Sequence, residues 1–228
     1  MDADNATETL ADRLLDAALL HVPFDGWTET TLRAAIADSG VSDPLARSLF
    51  PRGGVDLALA YHRRGDQLMR DRLAATDLSA MRYRDRIATA VRFRLEAVED
   101  KEAVRRGATL FALPTYAADG ARAIWGTADA IWTALGDSSR DINWYTKRTT
   151  LSAVYSATVL FWLGDDSPGH QTTWDFLDRR IEDVMRIEKA KAAMRENPLT
   201  KALLAGPMKL MEKIQKPHTP DDLPGRTR

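Results

Sequence analysis

Residues 28–49 read TETTLRAAIADSGVSDPLARSL, and this stretch decides the fold. Thr28 stands where a helix N-cap is wanted, because its hydroxyl accepts from a backbone N–H of the first turn. The helix it opens runs to about Asp38, and Gly40 lies just past the end, where left-handed backbone is required. Ser42-Asp43-Pro44 is a second cap with proline in the first turn, which starts a short helix to about Leu49. Helix, glycine turn and short helix make a helix-turn-helix. Upstream, a first helix from about Glu8 to Leu20 stops before Val22-Pro23, and Gly26-Trp27 forms a turn. Downstream, Pro51-Arg52-Gly53-Gly54 breaks the chain ahead of a long helix from about Val55 to Ala75.

Outward from this module the reading stays helical. Helices are expected over about Tyr83–Val98, Lys101–Leu113, Ala118–Leu135, Ile142–Leu163 and Thr172–Glu196, and no strand-like alternation bounded by turns occurs. The fold class is therefore all-α. The N-terminal part resembles the helix-turn-helix domain of TetR-type regulators, which implies a module over 8–75 followed by a larger helical domain over 76–197. As a DNA reader the module is poorly equipped. From Thr28 to Asp66, Arg33, Arg47, Arg52, Arg63 and Arg64 are cancelled by Glu29, Asp38, Asp43, Asp56 and Asp66. The short helix offers only Arg47, and phosphate neutralisation supplies most non-specific DNA affinity. A helix-turn-helix without a DNA role is the better inference, so no nucleic-acid partner is expected.

The chain has 228 residues, no cysteine and a formal net charge of -1, which excludes disulfides and thiolate chemistry and provides no global basic field. The longest apolar run is the thirteen residues Leu151–Leu163, short of the roughly 20 that span a bilayer. That run ends the helix opened by Asp141-Ile142-Asn143-Trp144-Tyr145-Thr146-Lys147-Arg148. Trp144, Arg148, Leu151, Tyr155 and Trp162 share one helical stripe. A buried guanidinium there needs an anion, since desolvating it costs several kcal/mol. The anion is either an internal carboxylate (Asp119, Asp129 or Asp141) or the head group of a ligand. Trp144-Tyr145 either caps the core helix or forms an interface hot spot, and exposure decides. Trp27, Trp125, Trp132 and Trp174 read as packing residues.

Residues 198–216 form the second informative segment. Leu199, Leu203, Leu204, Met208, Leu210, Met211 and Ile214 fill one half of a helical wheel together with Pro207, opposite Lys201, Lys209, Lys213 and Lys216. An apolar arc of about 180° is broader than a core-facing stripe and suits a helix lying in a membrane interface. Docking on the chain's own domain or on a second subunit is the alternative. Gly206-Pro207 interrupts the helix, and 217–228 reads as a disordered tail.

Asp141 to Arg148, the Leu151–Tyr155 stretch, Asp166-Ser167-Pro168 and Thr173-Trp174-Asp175-Phe176-Leu177 together resemble the signature of the ubiquinone-biosynthesis accessory family COQ9. Gly26-Trp27, Leu113-Pro114 and the closing amphipathic helix extend the resemblance over most of residues 10–215. The acidic N-terminus has no transit-peptide character, so a bacterial member is expected, cytoplasmic and peripherally associated with the inner membrane. The resemblance implies a homodimeric, non-enzymatic protein that binds an isoprenoid quinone or phospholipid and presents the quinone precursor to the demethoxyubiquinone hydroxylase. It implies a partner-binding role for Trp144 and Tyr145, a lipid head-group role for Arg148, and membrane docking through 199–216.

A long apolar cavity is then required, and the candidates to line it are Leu110, Leu113, Ile124, Ile131, Val154, Tyr155, Thr158, Phe161, Trp162 and Phe176. The alternative is that they simply make the core. No catalytic or metal site is expected, and no cofactor. His21, His62, His170 and His218 are scattered, and Asp165-Asp166 and Glu182-Asp183 are adjacent carboxylates in a solvated loop or diverging on a helix. The competing function is a transcriptional regulator with a hydrophobic effector pocket.

Overall fold

A computed structural model describes the backbone of residues 3–196 and the side chains of residues 9–186. Among these residues the chain is all helical, with α1 Ala3–Leu19, α2 Val22–Asp25, α3 Glu29–Ser39, α4 Asp43–Leu49 and α5 Gly54–Ala74. There follow α6 Tyr83–Glu96, α7 Lys101–Phe111, α8 Ala117–Ala134, α9 Ile142–Leu163, a 3₁₀ turn Pro168–His170 and α10 Gln171–Glu196. The segment 198–216 with its docking residues, and the tail 217–228, lie outside the described residues.

The caps act as their chemistry dictates. Thr28 Oγ1 accepts from the Thr31 amide at 3.4 Å, and Gly40 closes α3 at φ 68°, ψ 12°. Pro44 sits in the first turn of α4. One element departs from the sequence reading: Val22-Pro23 does not merely end a helix but begins the single turn α2. Proline is tolerated there because the first N–H groups of a helix have no partner. The start of α5 presses on the turn before α3. A Cβ on Gly54 would lie 2.3 Å from the Trp27 carbonyl oxygen, so only glycine fits.

Two apolar cores result. Leu14, Leu15, Val22, Trp27, Leu32, Phe50 and Leu57 form the first, within the helix-turn-helix module. Met69, Leu73, Val91, Leu95, Ile131, Leu151, Tyr155, Trp162 and Leu177 belong to the second. Helix α5 passes through both, and α7 touches both, giving Ala103 to the first while Val104 and Ala108 pack on the second. Trp27 Nε1 donates to the Ala103 carbonyl at 2.9 Å and ties the module to α7.

The end of α9 is held electrostatically. Lys101 Nζ donates to the carbonyls of Trp162 (2.9 Å) and Asp165 (2.7 Å), and Arg105 Nη2 to that of Leu163 (3.1 Å). These cations meet carbonyls at the C-terminal end of α9 and just past it, where the helix dipole favours positive charge. Asp165 is not the solvated loop residue the sequence suggested. It is buried and accepts from the amides of Ser167 and Thr173 and the hydroxyls of Thr172 and Thr173, fixing the entry into α10. Burial opposes its ionisation, but these donors outweigh burial and hold its carboxyl well below the usual range. No helix among the described residues is long and apolar enough to cross a membrane.

Candidate functional site

Between α5, α6, α7, α8 and α9 lies a cavity of about 420 Å³. Its walls follow from small residues on facing stripes. Ala103, Gly107 and Ala108 of α7 oppose Ala117, Gly120, Ala121 and Ile124 of α8, with Ala58 of α5 and Tyr155, Ser156 and Val159 of α9 completing the lining. Helices meeting through alanine and glycine approach closely yet leave volume that no side chain fills. A Cβ on Gly120 would come within 2.7 Å of the Phe111 side chain, so that contact is set by the missing methyl. Most of the lining is apolar, and the size suits an organic ligand or part of a longer one.

One wall is polar. Arg94 of α6, only 4 % exposed, donates from Nε to Asp66 Oδ1 at 2.6 Å and from Nη2 to the His62 carbonyl at 3.1 Å. Thr127 Oγ1 donates to Asp66 Oδ1 at 2.8 Å and accepts from His62 Nε2 at 2.8 Å. His62 Nε2 also reaches the Ala123 carbonyl at 3.1 Å, which can only accept, so neutral His62 carries its proton on Nε2. Burial first, and Arg94 second, push the imidazole down to about 4. Burial also pushes the Tyr61 phenol up to about 12, and that of Tyr155 upward. Gly65 makes the arrangement possible: a Cβ there would sit 2.5 Å from Arg94 Nη1, so the guanidinium rests on bare backbone.

Of the residues expected to line a cavity, Ile124 and Tyr155 do so. Ile131, Val154 and Trp162 are packed in the second core, and Leu110 leans on the first. Thr158 is fully buried, with its hydroxyl bonded to the Val154 carbonyl at 2.7 Å. Leu113 projects beyond the end of α7, half exposed. Phe161 and Phe176 stack on each other at 4.5 Å away from the lining.

Arg148 is on its stripe and 2 % exposed, but it is not among the residues that line the cavity. Its Nε donates to Asp129 at 2.5 Å and its Nη1 to Asp137 Oδ2 at 3.1 Å and to the Trp144 carbonyl at 3.2 Å. The anion it requires is therefore internal. Asp129 is one of the three carboxylates the sequence offers, and Asp137 is not among them. Asp119 instead serves Arg52 and Arg122, and Asp141 caps α9. Burial opposes the charge on Asp137, yet Lys147, Ser139 and Arg148 donate to it and hold its carboxyl down to about 2.

Exposure divides the aromatic pair, for which the sequence leaves core cap and interface hot spot both open. Trp144 is 8 % exposed and lies under the Arg148 guanidinium, 4.1 Å from the ring centre. Tyr145 is half-buried and meets Trp144 edge-to-face at 4.8 Å, with Trp125 at 6.3 Å. The indoles assigned to packing behave so: Trp132 Nε1 donates to the Lys147 carbonyl, Trp174 Nε1 to that of Gly169, and Trp125 lies 5.8 Å from Trp144. In α4, Arg47 is held by Glu29 at 2.8 Å and Asp43 at 3.1 Å. Among the described residues no group of acidic or histidine side chains converges to hold a metal ion.

Residues 117–188 match the family model described as COQ9. The ubiquinone biosynthesis protein COQ9 of Drosophila melanogaster is 33 % identical over 195 residues, covering 82 % of this chain and 59 % of that protein. Its Homo sapiens counterpart is 29 % identical over 191 residues, covering 79 % and 59 %. The chain thus spans about three-fifths of the length of these curated relatives. A TetR transcriptional regulator from Nitrosomonas europaea superposes with a TM-score of 0.63 at 20 % identity, over 76 % of this chain and 97 % of that one. That likeness establishes a TetR-like fold and nothing of function. The sequence matches carry more: residues 117–188 hold the COQ9 signature, and the chain is a relative of the COQ9 family.

Proposed function

We propose that this protein acts in ubiquinone biosynthesis as a non-enzymatic carrier, holding an isoprenoid quinone precursor in the α5–α9 cavity and presenting it to the hydroxylase that acts on demethoxyubiquinone. The observation that carries the reading is the cavity itself: apolar walls built from alanine and glycine, with a rim that includes Leu160, 67 % exposed. About 0.8 kcal/mol per buried methylene makes such a lining favourable for a prenyl chain. The family resemblance supplies the chemical class. The protein works as a homodimer at the membrane surface, docking through 199–216, and Tyr145 with its aromatic neighbours forms part of the surface that meets the hydroxylase.

Native mass spectrometry of protein isolated from its own cells tests the reading. A co-purifying quinone or prenyl lipid is expected, and a clean protein in gentle conditions counts against it. Flotation with anionic liposomes tests docking: deleting 199–228 removes it if the segment docks. The TetR-like fold also suits a regulator with an effector pocket. Against that stands Arg47, already engaged by two carboxylates. Sequence-selective DNA binding at physiological salt would favour the regulator.

A further inference from the structure

Exposure changes along the cavity wall. Ala58, Arg94, Leu95, Ala103 and Tyr155 are buried, whereas Ala112, Ala117, Ala121 and Leu160 are exposed. The mouth therefore opens between the α7–α8 turn and α9, and Arg94 lies at the inner end, with the part-exposed Tyr61 and His62 beside it on the polar wall. Two features there point to a guest. Arg94 offers five N–H donors and the protein uses one on Asp66 and one on the His62 carbonyl. The Tyr61 hydroxyl, on the same wall, is buried with no hydrogen-bond partner in the protein. A buried hydroxyl without a partner is costly, and native proteins place such groups where a ligand completes them.

The charge at this end is balanced. Arg94 is cationic, Asp66 lies 2.6 Å from it, and His62 is neutral at physiological pH. An entering carboxylate or phosphate would lose its water and find no uncompensated cation. Uncharged acceptor oxygens would find donors at little desolvation cost.

We infer that the guest enters head-first, and that the Arg94 guanidinium and Tyr61 hydroxyl select an uncharged head group bearing acceptor oxygens, such as a quinone, over an anionic one. The tail then runs along the alanine-rich walls and leaves past Leu160. This inference rests on the carrier reading and adds to it the head-group residues, the polarity of the guest and its direction.

Titration calorimetry on the full chain tests it with three probes: a geranyl benzoquinone, geranic acid as its carboxylate, and a branched alkane of matching length. The quinone binds tighter than either of the others by at least about tenfold. Tyr61→Phe weakens the quinone by about fivefold and leaves the alkane unchanged. Asp66→Asn leaves Arg94 uncompensated and raises the carboxylate to or above the quinone. Equal binding of all three probes by the natural protein, or a carboxylate preference, overturns the head-group inference while the carrier reading stands. Binding of none of them overturns both. Should Asp66→Asn fail to fold, Tyr61→Phe decides alone, because it removes only a hydroxyl; an unchanged quinone affinity in that variant refutes the inference. A photoreactive group on the quinone ring should label α5 and α6 near Tyr61 and Arg94. Labelling at Ala112–Ala121 instead means that the head stays at the mouth.

Discussion

Replacing Arg148 with methionine separates a structural cation from a ligand-binding one. Methionine keeps the apolar stem that packs beneath the charge while removing every donor. Breaking a buried ion pair from one side costs about 3–5 kcal/mol. Here the lower end applies, for two reasons. Asp129 is 45 % exposed, so water takes over its solvation. Asp137 keeps Lys147 Nζ at 2.6 Å and Ser139 Oγ at 2.8 Å. The lost contact with the Trp144 ring falls within the same figure. A destabilisation of about 3 kcal/mol lowers the urea midpoint by about 1 M or more and the melting temperature by about 6–12 °C for a chain of this size. Equilibrium urea unfolding followed by tryptophan fluorescence reads the first. Quinone affinity, measured in native conditions on the folded variant, stays unchanged because Arg148 does not line the cavity. An unaltered midpoint combined with lost ligand binding would refute this reasoning and return Arg148 to the head-group role.

Three further outcomes are expected. His62 is held neutral, so above about pH 6.5 its contribution to stability is complete. As pH falls towards 4 the unfolded chain takes the proton first and about 3 kcal/mol is lost; His62→Gln should flatten the fall measured by urea unfolding at successive pH values, and an unchanged slope would count against the imidazole. Gly65→Ala pushes a methyl into Arg94 and should loosen its bond to Asp66, lowering quinone affinity more than alkane affinity; equal affinities in the variant and the natural protein would show that Arg94 has no fixed seat. Trp144→Ala removes a buried indole at a cost of about 3–5 kcal/mol, whereas Tyr145→Ala costs less and weakens hydroxylase binding. A hydroxylase pull-down and thermal melts of both variants distinguish packing from docking.

The helix-turn-helix was legible because its punctuation is local. Thr28, Gly40 and Ser42-Asp43-Pro44 act within one turn of themselves, and so does Asp141 at the head of α9. The stripe of Trp144, Arg148, Leu151, Tyr155 and Trp162 was legible too, since helical periodicity alone sets which side faces inward. What periodicity leaves open is which partner arrives from elsewhere. Asp137 sits in the α8–α9 connection, and only the meeting of those helices brings it to Arg148. Arg94 was hidden among Arg82, Arg84, Arg86 and Arg92, a density that reads as a solvated face. The signal that could have exposed it is Gly65: a glycine inside a helix costs about 1 kcal/mol, so a neighbour needing that space is the natural explanation. The cavity has a comparable signal in the small residues of α7 and α8, because a cavity is outlined by where side chains are missing rather than by large apolar ones.

The cavity belongs to neither core. Trp27, Ala58 and Ala103 come to it from the N-terminal cluster, and Leu95 and Tyr155 from the C-terminal one. A guest lodged in that seam is mortar between two blocks, and loading should tighten amide exchange along α5 and α7 together, on both sides of the joint. On the carrier reading, release of the guest and loosening of that seam become one event.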